Sequence, residues 1–393
     1  MSEPAAPLAE GPLATTPLDA LHRAAGARMV PFAGYAMPLH YKAGILSEHL
    51  HTRTATGLFD VSHMGQIRLL PRSGQVADAA LALERLLPAD LASLPPGRQR
   101  YALFTNARGG ILDDLMVANT GEALLLVVNA ACKWADLGHL TAHLAAVCDI
   151  EPRFDRALVA LQGPGAESVL SALAPEAAAM RFMDVRTIEI AGATCLISRS
   201  GYTGEDGYEI SIAADDAERI AALLLAQPGV LPIGLGARDS LRLEAGLCLY
   251  GTDLDPLVTP VEAALEWSIG KSRRPGGARA GGFPGADIIL EQLANGAARR
   301  RVGLLPEGRA PLRAGTRLYA SEDFTGSPLG IVTSGAFGPS LSAPMAMAML
   351  DISQGMVGGS LIADLRGRPV RAHIAPLPFV TPGFKRPPAR TAS

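Results

Sequence analysis

YALFTNARGGILDDLMVAN, residues 101–119, contains two apolar, partly alternating runs joined across residues 107–110. Such alternation is typical of β-strands, and the glycines between the runs are typical of a turn. The second run carries two adjacent carboxylates, Asp113 and Asp114. Neighbouring side chains of a strand point to opposite faces, so only one of the two can enter a given pocket. We therefore expect one aspartate to be a candidate catalyst and the other to be structural.

The composition limits the classes of protein that this chain can belong to. It has 393 residues, of which 48% are hydrophobic and 19% charged, with a formal net charge of -3. A chain of this length can bury several cores, so two or three domains are expected in a soluble globular protein. The charge provides no basic stripe to neutralise phosphates, which makes nucleic acid an unexpected partner.

The cysteines and the N-terminal sequence bear on the cellular compartment. The four cysteines are widely spaced and contain no Cys-x-x-Cys pair, which argues against a zinc ribbon and a dense disulfide framework. No apolar run approaches the roughly 18 residues of a spanning helix. The first 22 residues lack Arg and Lys, unlike a secretory or mitochondrial leader. These features predict a cytoplasmic protein with free thiols.

Helical and strand patterns alternate irregularly along the chain, without the regular rhythm of a doubly wound sheet. We therefore predict an α+β fold. Helices are predicted at residues 17–25, 45–56, 75–87, 133–148, 166–173, 215–227 and 239–249. Strands are predicted at residues 65–70, 123–129, 157–162, 187–198 and 208–212.

A stretch rich in Gly, Pro and Arg, KSRRPGGARAGGFPGA at residues 271–286, breaks both periodicities and marks the main domain boundary. Beyond it, one helix near residues 287–293 is followed by short strands separated by turn residues, which indicates a small β-barrel or sandwich. We predict a larger region and a C-terminal domain joined by a linker and flanked by disordered tails. The predicted bounds are 1–15 for the first tail, 16–270 for the larger region, 271–286 for the linker, 287–384 for the C-terminal domain and 385–393 for the last tail.

The glycine-rich segment GYTGEDGYEIS, residues 201–211, feeds a predicted strand. It cannot cradle a phosphate, because it lacks the Gly-Lys-Ser/Thr ending and the following helix, and its three acids would repel an anion. One interpretation is an acidic hairpin. The other is that Glu209 points inward and accepts hydrogen bonds from the adjacent N–H and amino groups of a heterocycle.

The segment GLGARDSLRLEAGLCLYG, residues 234–251, contains a predicted helix with Asp239 as its N-cap. Arg242 and Glu244 are expected to be solvated on that helix. Arg238 lies just before it, where a planar guanidinium suits either a ligand carboxylate or a bidentate internal pair. The sequence does not separate these two possibilities.

Metal and acyl-enzyme chemistry are not favoured. His139 and His143 have the i,i+4 spacing of a metal-binding helix face, but no HExxH glutamate or third ligand is evident. His49 and His51 cannot share a helix face and are expected to be surface or packing residues. Neither Ser200 nor Ser334 lies in a Gly-x-Ser-x-Gly elbow.

Seven sequence blocks, taken together and in order, resemble the aminomethyltransferase family, the T-proteins of the glycine cleavage system. The resemblance extends from about residue 16 to about residue 384. The blocks are MVPFAGYAMPLHY, LFDVSHMGQ, TNARGGILDDLMV, ALQGP, GYTGEDGYEIS, GLGARDSLRLEAGLCLYG and GIVTSGAFGPSLSAPMAMAML.

This resemblance implies a fold and a reaction. The fold would be a three-domain cloverleaf around a central folate channel, with the first two domains interleaved and the last a β-barrel. The reaction would take the one-carbon unit from the aminomethyl-dihydrolipoyl arm of the H-protein to tetrahydrofolate. Its products would be 5,10-methylenetetrahydrofolate and ammonia, with tetrahydrofolate as co-substrate and H-protein as partner.

The resemblance also assigns roles to residues of this chain. The family's essential aspartate falls on Asp114, and its pterin-reading glutamate falls on Glu209. Other positions resemble folate-channel residues: Tyr101, Tyr202, Asn129, Arg238 and Trp267.

One position departs from the family, since Phe384 stands where some members carry a tyrosine after the Pro-Phe-Val run. Stacking on folate could survive that change, whereas a phenol hydrogen bond could not. Three arginines on or near the barrel, Arg300, Arg301 and Arg313, could receive an acidic H-protein or simply form a solvated basic face.

Two other functions remain open at the level of sequence. One is a folate-dependent demethylase of a small methylated substrate, which would use the same folate site. The other is a non-catalytic folate-binding assembly factor, against which the retention of Asp114 argues.

Overall fold

The computed structural model describes residues 11–352 and 359–385. Eight α-helices occur within these residues: α1 Asp19–Ala24, α2 Gly44–Thr54, α3 Val76–Leu83, α4 Lys133–Leu144, α5 Ala166–Leu173, α6 Ala214–Leu225, α7 Leu235–Glu244 and α8 Ala286–Asn295. Short 3₁₀ helices lie at Pro175–Ala179, Glu266–Ser268 and Lys271–Arg273. None of the helices in the described part of the chain is both long and apolar enough to span a membrane.

The described residues also form nineteen strands. Those before the barrel are β1 Arg28–Phe32, β2 Tyr35–His40, β3 Thr56–Asp60, β4 Gly65–Pro71, β5 Arg98–Thr105, β6 Ile111–Asn119, β7 Leu124–Val128, β8 Cys148–Pro152, β9 Arg156–Gln162, β10 Val185–Ile190, β11 Ala193–Ser198, β12 Gly207–Ala213 and β13 Val230–Ile233. Those of the barrel are β14 Arg299–Pro306, β15 Arg317–Tyr319, β16 Gly330–Gly338, β17 Ala343–Asp351, β18 Ser360–Leu365 and β19 Arg368–Ala375.

In the larger region β1 and β2 form a two-stranded sheet, and two further sheets have strands that are interleaved along the chain. Strands β4 to β8 form a five-stranded sheet in the order β5-β6-β7-β4-β8. The strand before them, β3, belongs instead to a six-stranded sheet in the order β10-β11-β12-β9-β3-β13. The chain therefore starts the six-stranded sheet, builds the whole five-stranded sheet, and then returns, which explains why no clean linker is visible in the sequence.

The C-terminal strands close into a six-stranded barrel in the order β14-β17-β16-β15-β18-β19. Its interior is filled by small and branched apolar side chains such as Leu304, Leu318 and Val332, all essentially buried. Among the six described barrel strands, closure leaves no exposed edge. The α+β fold with a C-terminal barrel is confirmed.

Several predicted elements differ from the observed ones. Residues 187–198 are a hairpin, β10 and β11, which turns at Ala191 and Gly192 with φ of 49° and 82°. The predicted helix 133–148 ends at Leu144, and Cys148 begins β8. The prediction that Asp239 is an N-cap is wrong, because α7 already begins at Leu235 after Gly234.

The glycine-rich segment 271–286 packs against the five-stranded unit. Arg279 Nε lies 2.8 Å from the Glu84 carboxylate, and its Nη2 lies 2.7 Å from Asp90. At the end of the described chain, Lys385 Nζ lies 2.6 Å from Glu167. In the first predicted tail, Ala14 forms a β-bridge with Tyr35, so the disordered part cannot extend to residue 15. The predicted tails otherwise fall largely on residues 1–10 and 386–393, which lie outside the described residues.

Candidate active site

A cavity of about 1920 Å³ lies where the two sheets and the barrel meet. Each unit contributes to its wall: Asp114 comes from β6, Glu209 from β12 and Thr333 from β16. The lining is largely apolar and aromatic with a few convergent polar groups, which is the usual make-up of a small-molecule site. The cavity lies where the resemblance implied a central channel.

Asp114 is the member of the aspartate pair that reaches the cavity. Its Oδ2 accepts a hydrogen bond from the Tyr101 hydroxyl at 3.0 Å, and its Oδ1 accepts one from Asn129 Nδ2 at 2.8 Å. Burial and then the negative charge of Asp113 raise the pKa of Asp114 to about 7, against the lowering effect of those hydrogen bonds. Asp114 can therefore gain or lose a proton near neutral pH.

Tyr101 and Trp267 stack on each other beside Asp114. Their ring centroids are 5.2 Å apart with an interplanar angle of 28°. Burial and the nearby Asp114 raise the pKa of Tyr101 well above its ordinary value, so its hydroxyl stays a hydrogen-bond donor. Trp267 is 63% exposed, which places the pair at a rim of the cavity. A flat aromatic ligand could stack on this rim.

Glu209 lines another part of the wall, and its side chain is half-buried. Its Oε2 accepts a hydrogen bond from Ser200 Oγ at 3.0 Å. Burial raises the pKa of Glu209, while Arg238 and Ser200 oppose that rise. The structure thus disfavours a solvated acidic hairpin and favours an inward-facing carboxylate that can accept hydrogen bonds from a ligand.

Arg238 lies over the Tyr202 ring, with its guanidinium carbon 4.7 Å from the ring centroid. Its Nη1 is buried and has no hydrogen-bond partner among the described residues. In that same part of the chain it forms no ion pair with a carboxylate within 4.0 Å. A buried guanidinium N–H without a partner is costly, so a ligand oxygen is the interpretation that this geometry favours.

The remaining predicted folate-channel residues are divided between the cavity and its supports. The Tyr202 hydroxyl donates to the Cys248 carbonyl oxygen. Asn129 Nδ2 donates to both Asp113 and Asp114, at 2.9 and 2.8 Å, so that amide supports the aspartates. Phe384 lines the cavity and stacks on Phe182, with centroids 4.3 Å apart at 12°.

The expectation that Arg242 and Glu244 are solvated is wrong. Arg242 is 3% exposed and its Nη1 lies 2.8 Å from Asp253. Glu244 is fully buried, and its Oε2 lies 3.0 Å from His49 Nε2 and 2.9 Å from Arg53 Nη2. The reason is that α7 packs against α2 and the barrel strand β16 at once, so the Arg242 and Glu244 side chains both face protein.

The three barrel arginines do not form one solvated face. Arg301 is 6% exposed, and its Nε donates to the Ala263 carbonyl oxygen at 2.7 Å, so its assignment to a solvent-facing contact is wrong. Arg300 is half-buried and paired with Glu266. Arg313 is exposed, and all three arginines contribute to the cavity wall.

The histidine pair on α4 does not gather metal ligands. His143 Nδ1 lies 2.8 Å from the His139 carbonyl oxygen. Among the residues that the structure describes, no group of three or more His, Cys, Asp and Glu side chains could hold a metal ion.

Two features of the site were missed by the sequence analysis. His63 is buried in the cavity wall, where burial and the charge of Arg238 lower its pKa to about 4 and keep it neutral. Asp136 and Cys132 lie against the buried Asp113. No spacing rule links these residues, because β6 and α4 meet only in three dimensions.

Comparisons with known proteins agree with this architecture. A family model described as the GCVT N-terminal domain matches residues 18–273, and one described as the glycine cleavage T-protein C-terminal barrel domain matches residues 299–381. Mitochondrial aminomethyltransferases are similar to this chain over most of both lengths. That of Dictyostelium discoideum is 42% identical, covering 95% of this chain and 94% of the relative. That of Gallus gallus is 45% identical, covering 94% and 93%.

A solved structure is similar over the same extent. It is the glycine cleavage system aminomethyltransferase T from Bartonella henselae, with a TM-score of 0.86, 42% identity and coverage of 95% of this chain and 100% of that one. The relatives named above as mitochondrial give no support to the cytoplasmic prediction. The matches over both the N-terminal region and the barrel leave one assignment: the chain belongs to the aminomethyltransferase family, the T-proteins of the glycine cleavage system.

Proposed function

We propose that this protein transfers the one-carbon unit of an aminomethyl-dihydrolipoyl arm to tetrahydrofolate, giving 5,10-methylenetetrahydrofolate and ammonia. The observation that carries the proposal is Asp114 itself. It is a carboxyl with a pKa of about 7, held by Tyr101 and Asn129 in the wall of a large aromatic cavity. Binding alone does not call for a carboxyl that titrates near neutral pH, whereas such a carboxyl is well suited to proton transfer.

The polar groups of the cavity suit a reduced pterin. Glu209 can accept hydrogen bonds from the ring's amide N–H and amino group. Arg238 Nη1, which has no partner among the described residues, can donate to a ligand oxygen. Tyr101, Trp267 and Tyr202 offer faces for the pterin and aminobenzoyl rings. Phe384 adds a further apolar ring without a hydroxyl.

The proposed reaction has a role for a carboxylate beside the folate amines. The aminomethyl carbon loses its bonds to sulfur and nitrogen and gains bonds to the two folate nitrogens. The two protons released by those folate nitrogens end on the leaving thiol and the leaving ammonia. Ionised Asp114 can orient the folate amine, accept its proton during attack and stabilise the cationic iminium intermediate.

For the protein partner, we propose the lipoylated H-protein. Arg313 and Arg300 support this proposal because they lie at the cavity wall and retain exposure to solvent. A charge reversal at Arg313 is expected to raise the KM for aminomethylated H-protein while leaving folate affinity unchanged.

For the location, the cytoplasm remains our proposal. All four cysteines are buried and free, which fits a reducing compartment. Fractionation of the source cells, followed by immunodetection, would decide the compartment.

The decisive experiment measures methylenetetrahydrofolate and ammonia formed from aminomethylated H-protein and tetrahydrofolate, with Asp114→Asn in parallel. Formation by the wild type and not by the variant supports the transferase and the role of Asp114 together. Folate binding without product would instead point to a demethylase of a small methylated amine or to a folate-binding assembly factor.

A further inference from the structure

Behind Asp114, on the opposite face of β6, lies the buried side chain of Asp113. Its carboxylate accepts hydrogen bonds from the Asn129 backbone N–H at 3.1 Å and from Asn129 Nδ2 at 2.9 Å. The same Nδ2 donates to Asp114 Oδ1 at 2.8 Å. One amide therefore connects the two carboxyl groups.

A second carboxyl, Asp136 in the first turn of α4, packs against Asp113 and is 4% exposed. The two carboxyl groups lie close enough for one to donate a hydrogen bond to the other. Two ionised carboxylates are both acceptors, so such a hydrogen bond requires a proton on one of them. Asp136 Oδ2 is also buried without a donor among the described residues. A proton on Asp136 satisfies both conditions.

The surroundings decide which of the two carboxyls keeps the charge. Burial raises the pKa of Asp113, but its carboxylate accepts hydrogen bonds from two N–H groups of Asn129, which favour its ionised form. In the described part of the chain, no comparable donor reaches the Asp136 side chain. Burial and the charge of Asp113 raise the pKa of Asp136 to about 9. At neutral pH the proton therefore belongs to Asp136.

The other titratable groups that face these carboxyls stay neutral near pH 7. Tyr101, Tyr202 and Cys248 face Asp114, whereas Cys132 and Tyr250 face the pair. Burial raises the pKa of every one of these phenols and thiols. Within the described residues no Arg, Lys or His side chain hydrogen-bonds to Asp113, Asp114 or Asp136.

We propose that Asp113 and Asp136 share one proton, and that the single negative charge they retain sets the pH at which Asp114 becomes ionised. This inference rests on the proposed role of Asp114 in transfer. Asp113 and Asp136 are positioning residues, since neither lines the cavity. Their charge keeps Asp114 a weak enough acid to give back a proton after accepting it.

The first test is the pH profile of kcat/KM for the wild type, Asp113→Asn and Asp136→Asn. In Asp113→Asn the charge is removed, because burial, the largest cause of the raised pKa of Asp136, remains and keeps that carboxyl protonated. The acidic limb should then move to lower pH by about one unit. In Asp136→Asn, the matched control, the amide donates to Asp113 and preserves the charge, so the midpoint of that limb should stay. A rate loss in Asp113→Asn at every pH with an unmoved midpoint would reduce Asp113 to a structural residue and overturn the proposal.

The second test does not depend on turnover. In an Asp114→Asn background at pH 8, infrared difference spectra should show a protonated buried carboxyl that disappears on adding Asp136→Asn. If this infrared signal is absent, the proposal of a shared proton is overturned. The test needs no Asp113→Asn protein, so it can be made even if that variant fails to fold. If that signal is present but the wild type forms no methylenetetrahydrofolate, the shared proton is supported and the proposed transferase function is overturned.

Discussion

At the level of single residues, Asp114 is where the proposed binding and catalytic roles separate most clearly. Asp114→Asn preserves the shape of the side chain and a hydrogen-bonding oxygen, so we expect folate affinity to change by less than about tenfold, or ~1.4 kcal/mol. Turnover should fall by about a hundredfold or more, because an amide cannot accept the folate proton. Titration calorimetry with tetrahydrofolate and steady-state assays measure the two effects separately.

The control for this substitution is Asp149→Asn, which also removes one carboxylate but lies in a half-exposed pair with Arg72. Asp149→Asn should leave folate affinity and turnover unchanged, because exposed ion pairs contribute little to stability. If Asp114→Asn weakened binding and turnover by similar factors, Asp114 would be a folate-binding residue and not a proton acceptor.

Residue-level prediction succeeded where a local rule applied and failed where burial depends on distant partners. The alternation of a strand was enough to predict that only one of Asp113 and Asp114 enters the cavity. Nothing in the sequence showed that Arg242 and Glu244 would be buried, because their partners Asp253 and His49 lie on other elements. For the same reason, the sequence did not show that Asp136 lies beside Asp113.

At the level of elements, the buried ions between α2 and α7 should dominate acid stability. Burial alone would raise the pKa of Glu244, but hydrogen bonds and charge from His49, with further hydrogen bonds from Ser340 and Arg53, lower it to about 2. An acid with a depressed pKa contributes stability above its unfolded pKa and loses it as the pH falls towards the folded pKa. Glu244→Gln should therefore lower the free energy of unfolding by about 3 kcal/mol at pH 7.

Urea unfolding at pH 7 and pH 3 checks this effect. At pH 3 the difference in the free energy of unfolding between wild type and Glu244→Gln should shrink to less than about half of its value at pH 7. The reason is that the stability contributed by the ionised Glu244 carboxylate is being lost at that pH. Glu151→Gln, in a half-exposed pair with Arg68, is the matched control and should cost under about 1 kcal/mol at either pH. A Glu244→Gln penalty that did not vary with pH would show that packing, and not charge, holds the two helices.

The segment that follows the barrel offers a second prediction at this scale. Residues 376–385 return to the glycine-rich turn, where Gly383 N donates to the Gly204 carbonyl oxygen at 2.9 Å, and place Phe384 flat against Phe182. Phe384→Ala should weaken folate binding by roughly two- to tenfold, the usual worth of one aromatic contact. Phe384→Tyr, which restores the ring of some family members, should bind as the wild type does. Equal affinities for all three proteins would exclude Phe384 from the folate site.

Element prediction was good where the pattern was continuous and poor where a turn interrupted it. Residues 166–173 form the predicted helix α5, and the short C-terminal strands form a barrel. The hairpin at Ala191 and Gly192 was read as one strand, because apolar alternation continues through the turn. The interleaving of the sheets is a matter of long-range pairing, such as β3 with β9 and β13, which no local pattern encodes.

At the level of the whole molecule, the cavity joins the two sheets and the barrel, so its ligand should stabilise all three together. A ligand present at a hundred times its Kd adds about 2.7 kcal/mol to the native state. We expect one thermal transition in the free protein and one transition at higher temperature with saturating tetrahydrofolate. Differential scanning calorimetry with and without the ligand makes the measurement.

Two variants make this measurement specific. Asp114→Asn should keep most of the shift in midpoint, since it is expected to bind folate almost normally. Arg238→Met removes the buried N–H that has no partner within the described residues, so the shift should largely disappear although the free variant unfolds near the wild-type temperature. A ligand stabilises only the unit whose unfolding releases it. If two thermal transitions were seen and folate raised the midpoint of only one, the barrel would unfold independently and folate would be held by the two sheets alone.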